Sequence, residues 1–290
     1  METEPPSPPA TTLSGLVRVC AQRLAGRSET PRLDAELLVL HVTGLGRGAL
    51  YTEPDRRIPE AARREAERLL ERRLRGEPVA YLLGTWGFWD FELATPRGVL
   101  VPRPETERLV EVVLAELPAD APLRVLDLGT GGGCIALALA RERPHWKIVG
   151  TDAYPAALEV ARANARRLGL ERIRWRQGGW YRAVAAEAPF DAIVCNPPYV
   201  PEDHPCLREE PALRHEPRAA LSAGPEGLDA LRAVILGAPR HLRPGGLLAV
   251  EHGWNQARRV RPLFARAGFA DVRTEKDLGK RDRVTLGRLP

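Results

Sequence analysis

The stretch Leu123-Arg-Val-Leu-Asp127-Leu-Gly129-Thr130-Gly131-Gly132-Gly133-Cys134-Ile135 decides the fold. Its first six residues form a short, largely apolar run followed by a glycine-rich turn, which reads as a buried strand. Its last residues open a helix carrying Ile135, Leu137 and Leu139. Between them lie four glycines in five positions, which allow a tight turn and close backbone approach to a ligand. The helix amino end presents free N–H groups to that ligand. A dinucleotide fingerprint G-x-G-x-x-G fails because the sixth position is Cys134, which excludes an NAD-type oxidoreductase. Asp127, two residues before the first glycine, also argues against a pyrophosphate. A carboxylate repels phosphates and attracts a cationic, methionine-like ligand, so D-x-G-x-G-x-G points to S-adenosylmethionine.

Outward from this turn, strands and helices alternate. Strands are expected at Lys147–Thr151, Ile173–Trp175, Ala192–Cys195, Leu247–Val250, Asp271–Thr274 and Val284–Leu286. Helices are expected at Pro155–Leu168, Leu228–Leu242 and Gln256–Ala267. Such βα units predict an α/β fold with a mostly parallel sheet covered on both faces. Ligands in these sheets bind beyond the carboxyl ends of the strands. Asp152, at the end of the second strand, is placed to accept the ribose hydroxyls of an adenosine. The bland alternative is a helix cap ahead of Pro155.

Upstream, Leu13, Val17, Cys20 and Leu24 recur at helical spacing before Gly26. A second helix is expected from Pro31 to Gly44 with Leu33, Leu37 and Leu40 on one face, and a third from about Pro59 to Leu74. The sequence therefore divides into a disordered tail at 1–10, a helical domain at 11–80, a β-hairpin linker at 81–101 and a catalytic domain at 102–290. Pro104-Glu105-Thr106-Glu107 opens a helix, with proline first and acids in the first turn.

The second motif with chemical content is Asn196-Pro197-Pro198-Tyr199, after the fourth strand. Two prolines cannot extend a central strand, and they fix the backbone. A rigid turn of this kind suits methylation of an amide or aromatic amine, whose nitrogen lone pair is delocalised. The Asn196 side-chain oxygen and the Pro197 carbonyl are acceptors able to hold an NH2 group, and Tyr199 is expected to pack on the planar substrate. Catalytic roles therefore fall on Asn196, Pro197 and Tyr199, with Pro198 completing the substrate site.

The whole chain beyond the first ten or so residues resembles the HemK/PrmC family of protein-(glutamine-N5) methyltransferases. The resemblance rests on Arg75-Gly-Glu77-Pro78-Val-Ala-Tyr81-Leu-Leu-Gly84, Val101-Pro-Arg103-Pro104-Glu105-Thr-Glu107, the glycine loop and N-P-P-Y. It extends through Glu216-Pro217, Gly224-Pro-Glu-Gly227-Leu228, Pro244-Gly-Gly246, Glu251-His-Gly253 with Gln256, and Arg283-Val-Thr-Leu-Gly-Arg288. It implies a helical N-terminal domain that docks the substrate, a hairpin linker and a Rossmann-like seven-stranded methyltransferase domain. The implied reaction is S-adenosylmethionine-dependent methylation of the glutamine in the Gly-Gly-Gln motif of class I peptide chain release factors. Carried over by position, Gly129, Thr130, Gly131, Gly132, Gly133, Asp152, Trp180 and Asn196 line the cofactor site, and Asn196 through Tyr199 hold the glutamine. Gly179 departs from the family, which commonly has an acid there, so Trp180 is expected to hold the adenine mainly by packing. N-P-P-Y alone is shared with N6-adenine methyltransferases, and a non-catalytic binding factor on the same fold is the other alternative.

Composition bounds these readings. The chain has 290 residues, 44% hydrophobic and 28% charged, as in globular proteins. Its four cysteines lack C-x-x-C pairing, so neither a disulfide scaffold nor a zinc site is expected, and the histidines lack ligand spacing. Cys195 reads as a small buried strand residue. His252, beside Glu251, is the histidine nearest the expected site. No apolar run approaches the ~20 residues of a membrane span, and the acidic, proline-rich start is no signal peptide; the expected location is the cytoplasm. Net charge is +5; residues 1–80 hold thirteen arginines and twelve acids, and the remainder carries +4. That even division favours solubilising charge over a nucleic-acid surface. The expected partners are release factors, with no sequence-specific nucleic acid and no membrane, for a monomer. Trp86, Phe88, Trp89 and Phe91 are expected to pack within the linker. Glu202, Asp203, Glu209, Glu210 and Glu216 are expected to form an acidic flap that receives a basic partner segment.

Overall fold

The computed structural model describes residues 11–187 and 189–290. The expected tail at 1–10 lies outside the described residues. The chain forms two compact units: one holds the residues up to Gly84 together with Glu209–His215, and the other holds Thr85–Arg208 and Glu216–Pro290.

The first unit is helical. Its helices are α1 (Leu13–Leu24), α2 (Pro31–Thr43), α3 (Ala49–Thr52), α4 (Glu60–Leu74) and α5 (Val79–Leu83). The Thr12 hydroxyl caps α1 by accepting from Gly15 N at 3.2 Å. Pro31 opens α2, and Gly44 closes it in the left-handed conformation. The core brings together Leu13, Val17, Cys20 and Leu24 with Ala35, Val39, Ala66 and Leu70. The expected inner face of α2 is corrected here. Leu40 is buried as expected and Leu37 half-buried, but Leu33 is exposed, and Ala35, Leu38 and Val39 are buried instead. The first turn instead buries Asp34, which pairs with Arg73 at 2.7 Å. Gly76 has φ +92°, and a Cβ there would lie 2.3 Å from Cβ of Pro211. Only glycine admits the segment Glu209–His215 at this point.

The second unit begins with a hairpin, β1 (Thr85–Phe88) and β2 (Phe91–Ala94). It is shorter than the 81–101 span expected: residues 81–83 are helical, and 95–101 leave the ladder to run toward the candidate site. Phe88, Phe91 and Leu93 are buried in the core of this unit, so the aromatic run packs rather than facing a substrate. The Trp89 indole donates to Glu142 at 2.7 Å.

The remaining elements are α6 (Glu107–Glu116), β3 (Arg124–Leu128), α7 (Cys134–Glu142), β4 (Lys147–Asp152), α8 (Pro155–Arg167), β5 (Arg174–Gln177), β6 (Phe190–Cys195), α9 (Cys206–Glu209), α10 (Arg218–Leu221), α11 (Asp229–Gly237), β7 (Leu242–Glu251), α12 (Ala257–Arg266), β8 (Ala270–Lys276) and β9 (Asp282–Arg288). Among the described residues they form a seven-stranded sheet in the order β5-β4-β3-β6-β7-β9-β8. The first five strands in that order are parallel, and β9 runs antiparallel to both neighbours. Alternate strand residues enter different cores. Val125, Ala192 and Val194 pack with α6 and α7, while Leu126, Leu128 and Ile193 pack with α11 and α12. The chain leaves β3 for β4 on one side and returns to β6 on the other. The crevice at that reversal, beyond the carboxyl ends of β3 and β6, is where such sheets bind ligands.

Candidate active site

A cavity of about 280 Å³ opens at this crevice. Its walls come from Gly129–Gly132 after β3, Asp152–Tyr154 after β4, Gly178–Trp180 after β5 and Asn196–Pro198 after β6. Val99, Leu100, Pro102, Arg103 and Thr106 close one side, with Pro217, Ala219 and Ala220. Most of the predicted site residues thus converge, although they lie on four separate strand ends.

The glycine loop is held from behind. Asp127 alternates onto the α7 face, where its Oδ2 accepts from the Thr130 hydroxyl at 2.6 Å and from Ala136 N at 3.2 Å. Its Oδ1 is buried without a hydrogen-bond partner among the described residues. Burial pushes this carboxyl up to about 7 against the two hydrogen bonds. Thr130 N donates to Thr151 O at 2.8 Å, and Asn164 of α8 donates to the Gly132 carbonyl at 3.0 Å. Asn164 also clasps Ala94 of the hairpin through both amide atoms. Sequence reading missed it, because a buried asparagine in a helix carries no local signal of its partners.

Asp152 accepts from Gly131 N and from Tyr154 N, each at 2.9 Å, one at each carboxylate oxygen. It therefore shapes the loop and caps the turn into α8 while facing the cavity. Trp180 adopts φ +46°, an uncommon conformation for a side chain of its size. Its ring stands 3.6 Å from where a Gly129 Cβ would be. Gly179, where an acid was expected from the family, lines the cavity without a side chain. A glycine-walled slot, an indole and a carboxylate with lone pairs to spare fit an adenosine bearing a cationic sulfonium.

Two predicted site residues fall elsewhere. Gly133 does not line the cavity. With φ +92°, it sits where a Cβ would crowd Leu137, Ala161 and Trp175 at 3.1–3.2 Å, so its role is helix-to-sheet packing. Tyr199 is turned away from the cavity into the core of the α11 and α12 face, and its hydroxyl donates to Glu251 Oε1 at 3.1 Å. Burial drives this phenol far above its ordinary range. An aromatic ring beside two prolines packs better against apolar neighbours than in a polar crevice.

Asn196 Nδ2 donates to the Thr106 hydroxyl at 3.0 Å, leaving Oδ1 for a ligand. Thr106 and Glu251 were not singled out as site residues from sequence. Glu251 is fully buried and pushed up to about 7 by burial, opposed by the hydroxyls of Thr106 and Tyr199 and by the charge of Arg283. His252 is buried between the Gly253 carbonyl and the Thr285 hydroxyl, and burial lowers its pKa, so it is a packed residue. Cys195 donates its thiol to Leu128 O at 3.0 Å, and burial holds it well above the ordinary thiol range. It is no nucleophile.

The expected acidic flap does not form as one surface. Glu216 is buried, accepts from Val101 N at 3.0 Å and pairs with Arg103. Glu209 and Glu210 belong to the helical unit. The cations are also less evenly spread than the two halves suggest. Seven arginines and a single acid lie between 162 and 182. They fall on α8, on the loop into the edge strand β5, on β5 itself and on the turn after it; Glu187 pairs with Arg174 and Arg176 of β5 as well as with Arg124 of β3. Among the described residues, no helix is long and apolar enough to cross a membrane.

The chain is similar to known methyltransferases. Residues 16–84 match the family model described as the PrmC N-terminal domain, and residues 119–279 match a methyltransferase domain. A release factor glutamine methyltransferase of Xylella fastidiosa is 47% identical over 266 residues, covering 92% of this chain and 96% of the relative. The Escherichia coli release factor glutamine methyltransferase is 44% identical, covering 90% and 93%. Among solved structures, a Thermus thermophilus 16S rRNA N2 G1207 methyltransferase in complex with AdoMet and guanosine aligns with TM-score 0.54 at 22% identity. It covers 71% of this chain and 50% of that one, and shares the fold.

Proposed function

Because the chain belongs to the release factor glutamine methyltransferase family, we propose that its cavity methylates the side-chain amide of the glutamine in the Gly-Gly-Gln segment of class I release factors. The observation that carries the reading is the Asn196 amide, whose NH2 is committed to Thr106 while its oxygen stays available.

S-adenosylmethionine, when bound, supplies an electrophilic methyl group on a sulfonium. Gly129 to Gly132, Asp152 and Trp180 are the residues that would hold it. Asp152 retains one further lone pair on each oxygen for ribose hydroxyls. Asn196 Oδ1 and the Pro197 carbonyl accept the two N–H groups of the glutamine amide. That grip turns the nitrogen lone pair out of its delocalised plane and toward the donor. Both acceptors sit on a turn stiffened by Pro197 and Pro198, so alignment costs little at the moment of reaction. The charged residues lining the cavity, Arg103 and Asp152, are already engaged. Catalysis therefore rests on proximity and acceptor placement rather than on a strong general base, and the surplus proton leaves after the amide has been methylated.

The helical unit docks the release factor, and the chain works as a monomer in the cytoplasm without a nucleic-acid substrate. A separate N-terminal family match supports the docking role, and a cavity lined within one unit supports a site complete in one chain. The test is incubation with labelled methyl donor and a release factor, either normal or with the Gly-Gly-Gln glutamine replaced. Label on the normal factor alone is expected. Label on DNA or RNA instead overturns the substrate assignment.

A further inference from the structure

Gly224-Pro-Glu-Gly227 and Gly253 with Gln256 lie outside the cavity, yet both close on the exit of the proline turn. Gln256 stands at the start of α12 and is buried. Its Nε2 donates to Tyr199 O at 2.9 Å and to Gly227 O at 3.3 Å, and its Oε1 accepts from Gly253 N at 2.8 Å. These partners fix the direction of the amide. The reversed group would set its NH2 against the Gly253 N–H and its oxygen against two carbonyls. Gly227 also approaches the Tyr199 carbonyl. It has φ +68°, and a Cβ there would lie 2.2 Å from Tyr199 O and 2.8 Å from Pro201 N. Only glycine lets this loop come so close.

Proline rings fix φ at 197 and 198, and the residues that precede a proline, Asn196 and Pro197, are confined to extended ψ. The turn is therefore stiff within itself, but stiffness does not set where it points. A stiff segment is aimed by whatever holds its two ends. Upstream, Cys195 is paired in the sheet with Leu128 and Val250. Downstream, the first torsion free of the rings is ψ of Pro198. The chain beyond it is tied by the Tyr199 carbonyl to Gln256, and by Val200 N to Leu221 O at 2.9 Å. A displacement of the Tyr199 carbonyl passes back through two stiff residues to the Pro197 carbonyl and to Asn196.

We propose that Gln256, with Gly227 against the same carbonyl, is a positioning residue that aims the Asn196 and Pro197 acceptors at the substrate amide. This deepens the reading of those two acceptors and rests on it. Gln256 does not line the cavity and acts only through the backbone of the turn.

The test compares Gln256→Glu and Gly227→Ala with the parent, in the full chain with a release factor substrate. Gln256→Glu keeps the size and the acceptor for Gly253 N, so a task confined to the entry of α12 survives it. It sets an oxygen against the Tyr199 and Gly227 carbonyls, so a task at the turn does not. Its kcat should fall about 10- to 100-fold, the scale of a misplacement of about 1 Å at a reacting group. The Kd for S-adenosylmethionine, by calorimetry, and the KM for the release factor should each stay within about threefold. Gly227→Ala leaves Gln256 in place and pushes the same carbonyl, and it should show the same split. Combining the two should cost less than the product of the single losses. Gly227→Ala carries the test if the glutamate variant does not fold, and Gln256→Met, which removes both donors without adding a charge, carries it if neither does. Full kcat in a folded variant, or cofactor affinity falling in parallel with kcat, overturns the positioning role. If Asn196→Ala itself retains turnover, the acceptor reading fails first. If Asn196→Ala is inactive while Gln256→Glu keeps full kcat, only the present inference fails.

Discussion

Two turns leave neighbouring strands of the same sheet and are built from opposite materials. The turn after β3 is glycine, with positive φ at Gly129, Gly131 and Gly133; the turn after β6 is proline, whose rings fix φ at two successive positions. Yet each stands on a buried carboxylate, and each carboxylate accepts from one hydroxyl, Asp127 from Thr130 and Glu251 from Tyr199. The glycine turn must follow a ligand's contour, so its rigidity comes from outside, from Thr151, Asn164 and Asp152. The proline turn is stiff by itself and needs only to be aimed. The difference separates two tasks: binding the donor on one side and aligning the acceptor on the other.

Removing the amide from the proline turn is the harshest way to test that separation. Asn196→Ala should lower kcat by about 10³-fold, the scale of losing a group that acts mainly in the transition state. S-adenosylmethionine affinity, measured by calorimetry, should change by less than about threefold. A parallel loss of cofactor binding would show that the two turns do not divide the work.

The shared carboxylate design makes a second prediction. Asp127 and Glu251 are both raised to about 7 by burial, against ordinary values of 3.8 and 4.5. Between those values and about pH 7 the native protein keeps protons that the unfolded chain releases. The unfolded state then binds fewer protons, so each group's contribution to stability falls as pH rises through this window and is lowest above it. Relative to the parent, Glu251→Gln and Asp127→Asn should each gain about 2–3 kcal/mol of unfolding free energy between pH 5 and pH 8. Urea unfolding at the two pH values measures it. A difference that stays flat with pH for one variant would break the parallel between the turns.

A milder test concerns the glycine side alone. Asp152→Ala removes the acceptor of Gly131 N and leaves the loop's amide unpaired. The Kd for S-adenosylmethionine should rise about 10- to 100-fold, with kcat at saturating donor within a few-fold. Should kcat fall more than affinity, Asp152 serves alignment rather than binding.

Legibility in the sequence followed the distance over which each feature acts. The doubly wound sheet, the glycine loop, Asp152 and N-P-P-Y were readable because each is a contiguous pattern or sits at a strand end. Thr106 and Asn196 are 90 residues apart, and Tyr199 and Glu251 are 52 apart, so only the folded sheet brings them together. Gly133 looked like its loop neighbours, but its constraint comes from Ala161 and Trp175 on other elements. Leu33 looked buried by spacing, yet Asp34 and its Arg73 partner took the inner position. Helices α3 and α5, at four and five residues, are too short to show a period. Counting charge by halves hid the arginines of 162–182, since a half-chain average carries no spatial information.

Tyr199 offers the gentlest way to sharpen the comparison, because motif and structure give it different tasks. If its ring were part of the substrate site, Tyr199→Phe would be silent, since the ring survives. If its task is the hydroxyl at Glu251, the substitution leaves a buried carboxylate with one donor fewer. We expect a stability loss of about 1–2 kcal/mol at pH 8, where the carboxylate is charged, shrinking toward pH 5 as Glu251 takes up a proton. Turnover should fall only a few-fold, because the Asn196–Thr106 hydrogen bond is untouched. Thermal melts at the two pH values, beside single-turnover rates, distinguish the cases: an unchanged melting temperature with normal turnover returns Tyr199 to the substrate face, and a pH-dependent loss keeps it beneath the proline turn.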